Sequence, residues 1–276
     1  GEVVFTSGGS ESNNFAILGV ALASNNKKRH IVTCEVEHAA ILNPLKQLEC
    51  LGFQVECLPV DGVGRVDPER VKSALTESTV LVTIQHANSE VGTLQDIVEI
   101  GDCVRKKGIL FHTDAVQSVG KIPVDVNDLP VDLLSISSHK LYGPKGIGAL
   151  FIRKGTRALF PPISGGGQER KRRGGTENMP GIVGFGKACQ LMNEHINRSD
   201  LERLERMRDY LWGKIEQLIP RVEVFGCVKK RLPNTLNCGF DGTDGESLLV
   251  ALDIEGISVS TGSACSSGTG VPSHVL

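Results

Sequence analysis

Residues 131–153 read VDLLSISSHKLYGPKGIGALFIR. An apolar strand, 131–137, runs straight into Ser137, Ser138, His139 and Lys140, and a Gly/Pro loop leads to a second apolar strand at 147–153. Short apolar runs bounded by turn residues are the mark of strands buried on both faces. The same texture occupies 3–5, 30–35, 53–60, 79–84 and 108–113. Helical segments lie between these runs. SESNNFAILGVALAS (10–24) is predicted to start with Ser10 as N-cap, and AAILNPLKQLECLG (39–52) to close at Gly52. DPERVKSALTES (67–78) offers Asp67 as N-cap with Pro68 at the first helical position, and LQDIVEIGDCVRKKG (94–108) ends in Lys/Arg and then Gly108. These are helix start and stop signals. Strands alternating with such helices predict an α/β fold, a mostly parallel seven-stranded sheet sandwiched by helices.

The texture changes after GGGQERKRRGGTEN (165–178): long helical stretches follow, DLERLERMRDYLWGKIEQLI (200–219) the clearest. Then come VEVFG, NTLNCGFDG, the helical GESLLVALDIEG and ISVST. The expected division is 1–178, a large domain, and 179–276, connecting helices and part of a smaller α+β domain. GEVVFTSGG reads as the end of a buried strand entering a glycine turn, so the 276 residues are expected to be a piece of a longer protein.

Composition narrows the function classes. Hydrophobic content is 40%, charged content 22% and net charge −2. A nucleic-acid or membrane partner would call for a basic excess or a long apolar run, so neither is expected. The eight cysteines form no CxxC pair, which argues against structural zinc, and no metal is expected. Cys34, Cys57 and Cys238 sit in apolar runs as small hydrophobes, which fits a reducing, cytoplasmic setting or, in a eukaryote, the mitochondrial matrix.

Active groups of open α/β sheets gather at the carboxyl ends of strands. Lys140 there could form a Schiff base with a carbonyl cofactor; a solvated surface lysine is the plain alternative. Asp114, in FHTDAVQSVGK, also follows a buried strand. A pyridoxal phosphate (PLP) site needs a carboxylate on the pyridine nitrogen, and Asp114 could supply it or simply cap the next helix. TSGGSESNN places a Gly-Gly-Ser turn at a helix N-terminus, a cradle for phosphate. His38, between a strand and a helix, could stack on the cofactor ring, and Asn88, after strand 79–84, could bond its phenolic oxygen. Five compatible strand ends are hard to assemble by chance.

FTSGGSESNN, EHAA, HTDAVQ, SSHKLYGPKG, GGGQERKRRGGTEN and SVSTGSACSSG together resemble, in order along nearly the whole chain, the motifs of cysteine desulfurases. These are the NifS/IscS-like branch of the class V aminotransferases, within fold type I PLP enzymes. The resemblance implies that Lys140 holds PLP, that Asp114 pairs with the pyridine nitrogen, and that His38 stacks on the ring and shuttles protons. Asn88 and Gln117 would contact the phenolic oxygen side. Gly9, Ser10, Ser137 and His139 would bind the phosphate, with Ser138 nearby. Thr176 would reach the phosphate of the neighbouring subunit in a homodimer. Cys265 would be the nucleophile that takes sulfur from L-cysteine as a persulfide and passes it to an acceptor such as an iron–sulfur scaffold. A selenocysteine lyase shares most of these residues, and a truncated, non-catalytic interaction subunit is the alternative of a different class.

Overall fold

The alternation of side chains along the strands sorts the core into two layers. Ile31, Leu133 and Leu150 turn to one side of the sheet, where Phe15, Ile17, Ile41, Leu45 and Leu48 meet them. Val32, Leu134 and Phe151 turn to the other, against Val71, Ile97, Ile100, Val104 and Phe111. Each such large apolar side chain taken out of water contributes ~1.5–3 kcal/mol. The computed structural model describes residues 1–24, 28–197, 200–262 and 273–276.

The strands are β1 (Val3–Thr6), β2 (His30–Cys34), β3 (Gln54–Leu58), β4 (Thr79–Thr83), β5 (Leu110–Asp114), β6 (Leu133–Ser137) and β7 (Gly148–Ile152). They form one sheet in the order β1-β7-β6-β5-β4-β2-β3. The pairs β2–β3, β2–β4, β4–β5 and β5–β6 are parallel. β7 is antiparallel to both β1 and β6, so every other strand runs in one direction. The carboxyl ends of β1, β2, β4, β5 and β6 therefore open on one edge.

Helices α1 (Gly9–Ala23) and α2 (Ala39–Cys50) cover one face; α3 (Pro68–Ala74) and α4 (Ile97–Lys106) cover the other. Asp67 caps α3 by accepting from the Glu69 N–H, as predicted. Ser10 does not cap α1: the helix starts at Gly9, and Gly8 stands at the N-cap with no side-chain bond to offer. Beyond the sheet lie an irregular turn, α5 (Gln168–Lys171), and two long helices, α6 (Met179–Asn197) and α7 (Asp200–Leu218). Strands β8 (Val222–Val224) and β9 (Cys238–Phe240) pair antiparallel on their own, and α8 (Gly245–Ile254) follows. Arg208 of α7 donates to the Leu232 carbonyl at 2.8 Å, and the Cys227 N–H donates to Thr93 Oγ1 at 2.9 Å. The first bond joins two of the later segments, and the second ties them to the loop after β4. No helix among the described residues is long and apolar enough to cross a membrane.

One buried polar group fixes β5 under the open edge. His112 is held between Thr83 Oγ1, 2.8 Å from Nδ1, and Ser135 Oγ, 2.9 Å from Nε2. Burial pushes its pKa down to about 3, so the imidazole is neutral in the fold. The unfolded chain binds a proton below pH 6.5 that the folded chain refuses, and stability drains as pH falls through that window. Glu37 works in the opposite direction, because burial raises it to about 8. The signature is thus a difference: from pH 7 to pH 5 the wild type should lose about 2 kcal/mol more than His112→Asn. Urea melts at the two pH values measure it, and equal slopes would remove His112 from the titration.

Candidate active site

A cavity of roughly 210 Å³ opens at the carboxyl edge, and five strand ends line it. Gly9, Ser10 and Asn13 come after β1; His38 and Ala40 after β2; Gln85, Ala87 and Ser89 after β4. Asp114, Val116 and Gln117 come from β5, and Ser137, His139 and Lys140 from β6. Lys140 rides on a single 3-10 turn, Ser138–Leu141, closed by Tyr142 in the left-handed region at φ 60°.

Asp114 is buried and held on both oxygens. Asn13 Nδ2 donates to Oδ2 at 2.6 Å, and the Val116 N–H donates to Oδ1 at 2.9 Å. Burial raises its pKa; those two bonds and the charges of His38 and Lys140 pull against the rise without cancelling it. Behind it, burial pushes the Glu37 carboxyl up to about 8, against the pull of the Gln85 N–H and with the push of Asp114. Glu37 is thus mainly the neutral acid at pH 7. Its Oε1 accepts from the Gln85 N–H at 2.6 Å and from the Cys34 thiol at 3.3 Å.

His38 is the N-cap of α2, where Ser, Thr, Asp or Asn usually stands. The Ala40 N–H donates to His38 Nδ1 at 3.0 Å, so Nδ1 is an acceptor and the ring proton belongs on Nε2. His139 Nδ1 lies 2.9 Å from Ser137 Oγ. Burial, then the charges of Lys140 and Lys145, lower the His139 pKa.

Three sequence candidates lie elsewhere. Asn88 spends its amide on backbone groups: Nδ2 donates to the Val36 carbonyl at 3.1 Å, and Oδ1 accepts from the Glu90 and Val91 N–H groups at 2.8 and 2.9 Å. The neighbouring Ser89 lines the cavity in its place. Ser138 is buried beneath the lysine turn, with Gly143 packed so close that a Cβ there would fall 2.3 Å from its Oγ. Thr176 is exposed and lines a separate small cavity with Ser7, Glu169 and Arg173. The basic loop around it is pinned to its own chain: Arg173 pairs with Glu11 at 2.9 Å, and Glu169 Oε1 accepts from the Phe5 N–H at 3.0 Å. Cys265 lies outside the described residues. Sequence reading missed Asn13, Gln85 and Ser89. Asn13 stood inside the quoted SESNN motif one helical turn beyond Ser10, and Gln85 and Ser89 followed a strand end.

The residues present suit PLP. An uncapped helix N-terminus offers free N–H groups to a phosphate. A Cβ on Gly9 would come 2.8 Å from Val116 Cγ2, so only glycine lets the backbone close here. A buried carboxyl with a raised pKa is short of a cation, which a protonated pyridine supplies. Among the described residues, no cluster of His, Cys, Asp or Glu could hold a metal.

A mostly parallel sheet with a lysine, a buried aspartate and an anion cradle on its carboxyl edge defines a PLP enzyme of fold type I. The chain belongs to the aminotransferase class-V family, which it matches over residues 1–275. It is 53% identical to a protein of Dictyoglomus turgidum named cysteine desulfurase IscS, over all of this chain and 69% of that relative. A Methanosarcina thermophila protein of the same name is 50% identical, over all of this chain and 67% of its own. Among solved structures, a NifS-like protein superposes with a TM-score of 0.91 at 39% identity, covering 99% of this chain and 72% of its own. A NifS-like protein from Rickettsia africae gives 0.87 at 33% identity, covering all of this chain and 71% of its own.

Proposed function

We propose that the protein is a PLP-dependent cysteine desulfurase that converts L-cysteine to L-alanine and takes the sulfur as a persulfide on Cys265. The observation that carries this reading is the convergence of Lys140, Asp114, His38 and Gln117 on one cavity beside the α1 N-terminus. Gly9, Ser10, Ser137 and His139 hold the phosphate, Asp114 the pyridine nitrogen, and Gln117 with Ser89 the phenolic oxygen side. Bound PLP supplies the electron sink that stabilises negative charge at the substrate Cα.

Lys140 Nζ anchors the cofactor, then takes the substrate α-proton as general base. His38 moves a proton at Nε2, since Nδ1 is engaged by Ala40. The Cys265 thiolate attacks the substrate sulfur. The Cβ–S bond breaks and leaves its electron pair on the carbon skeleton, which takes a proton at Cβ, recovers its α-proton from Lys140 and departs as alanine. A new S–S bond holds the persulfide, so carbon is reduced as sulfur is oxidised, with no outside oxidant. Burial raises the thiol pKa of Cys34, Cys57, Cys103, Cys189 and Cys238. Thiols held protonated are poor nucleophiles, so none of these five suits the task.

In this reading the protein works as a cytoplasmic homodimer, with Thr176 reaching the phosphate of the neighbouring subunit and an iron–sulfur scaffold as sulfur acceptor. The test adds L-cysteine to the PLP-loaded protein and measures alanine and protein persulfide together. They should appear one for one in the first turnover, with the persulfide mapped to Cys265 and absent from Cys265→Ala. Alanine without persulfide, or a persulfide on another cysteine, would sink the assignment.

A further inference from the structure

The turn that follows β5 carries a charged side chain the reaction above does not use. Residues 115–122 coil tightly: the Ser118 and Val119 N–H groups donate to the Ala115 carbonyl, and those of Lys121 and Ile122 to Ser118. Gly120 closes the coil at φ 81°, in the left-handed region that favours glycine, and a Cβ there would come 2.6 Å from Leu141 Cδ2. The chain therefore doubles back and brings Lys121 Nζ to 2.6 Å from Gln117 Oε1. Gln117 lines the cavity beside Lys140.

An ammonium has three donors and no acceptor, so it settles which end of the facing amide is oxygen. With Oε1 turned to Lys121, Gln117 has only its Nε2 hydrogens left to offer the cavity. We propose that Lys121 is a positioning residue: it locks the Gln117 amide so that a donor, never an acceptor, faces the oxygen-bearing edge of the bound cofactor. Without that partner, nothing in the pair would stop the amide from turning its carbonyl to the same oxygen, a repulsive contact. Lys121 is itself half-buried, and burial pushes its pKa down to about 8, with the charge of Lys140 adding to the push. A buried ammonium is kept only where it has an acceptor, and here that acceptor is Oε1.

The inference rests on the PLP reading, and its test separates the two. Apo protein is titrated with PLP, following the visible band, for wild type, Lys121→Met, Lys121→Arg and Gln117→Leu. Lys121→Met should bind PLP about tenfold more weakly, the size of one charge-assisted hydrogen bond, and should shift the band. Lys121→Arg should restore both. In a Gln117→Leu background Lys121→Met should cost little more, because the two side chains act as one unit. Equal affinity and an unmoved band in Lys121→Met, or a full tenfold loss on top of Gln117→Leu, would overturn the proposal. A second readout needs no cofactor. In apo protein, Lys121→Met should displace the Gln117 side-chain 15N–1H resonances while backbone amides outside 115–122 stay in place. Unmoved side-chain resonances would refute the pairing even if PLP failed to bind, whereas failed PLP binding by wild type would refute the reading of the cavity.

Discussion

Lys140→Ala is expected to abolish the visible absorbance of protein-bound PLP and to slow alanine formation by at least ~10⁴-fold. General base catalysis by one side chain is typically worth ~10²–10⁴, and loss of the covalent anchor adds to it. The fold should not notice the change. The turn that presents Lys140 is held by backbone bonds: the Ser138 N–H donates to the Ile147 carbonyl at 3.1 Å, and the Gly143 N–H to the Ser138 carbonyl at 3.0 Å. Leu141, next in the chain, anchors the turn in a small apolar cluster with Ile147, Ala149 and Phe185. The lysine side chain takes no part in either, so the variant should melt like wild type. Absorbance, single-turnover alanine release and thermal melting on the same preparation check all three points. A retained band with normal melting would place the Schiff base on another lysine.

The parts of this site that were legible in the sequence are those fixed by chain periodicity. Short apolar runs bounded by turn residues gave the seven strands of the sheet, and the segments at the strand ends gave His38, Asp114 and Lys140, because a parallel sheet sends such segments to one edge. What periodicity does not reach is the side a residue faces once the strand has ended. Asn88 and Ser89 are adjacent, and the sequence favoured the asparagine for its amide. In the fold that same amide is what removes it, since an Asn side chain readily bonds the backbone two and three residues on. Ser10 misled for a related reason. It looked like a cap, but Gly8 and Gly9 let the helix begin earlier, and an uncapped end is what an anion needs. His38 was read as a ring for the cofactor; its second duty, as N-cap of α2, has no signal in a propensity scale that ranks histidine low at that position. The Lys121–Gln117 contact was equally hidden, because it depends on the left-handed turn at Gly120.

Asp114→Asn should separate catalysis from stability. Asparagine matches aspartate in shape and keeps an oxygen to accept from Asn13 Nδ2 or the Val116 N–H, the bonds that now measure 2.6 and 2.9 Å. It removes a carboxylate whose pKa burial has already raised, a charge that is held at a cost without a cation beside it. The apo protein should therefore be as stable as wild type or more so. In the proposed reaction that charge keeps a proton on the pyridine nitrogen when negative charge develops on the substrate. An ion pair at about 4 Å in a protein-like dielectric is worth roughly 4 kcal/mol, which corresponds to about a 10³-fold lower rate of alanine formation. PLP should still attach, since Lys140 and the helix N-terminus are untouched. The measurements are the melting temperature of apo protein, PLP occupancy from absorbance, and the single-turnover rate. A variant that lost stability and rate together would make Asp114 a structural residue. One that kept its rate would move the pyridine partner elsewhere. A slower enzyme in a fold that is no less stable is the outcome that a buried carboxylate of raised pKa demands, because the charge that costs the apo protein stability is the one a bound cation would pair with.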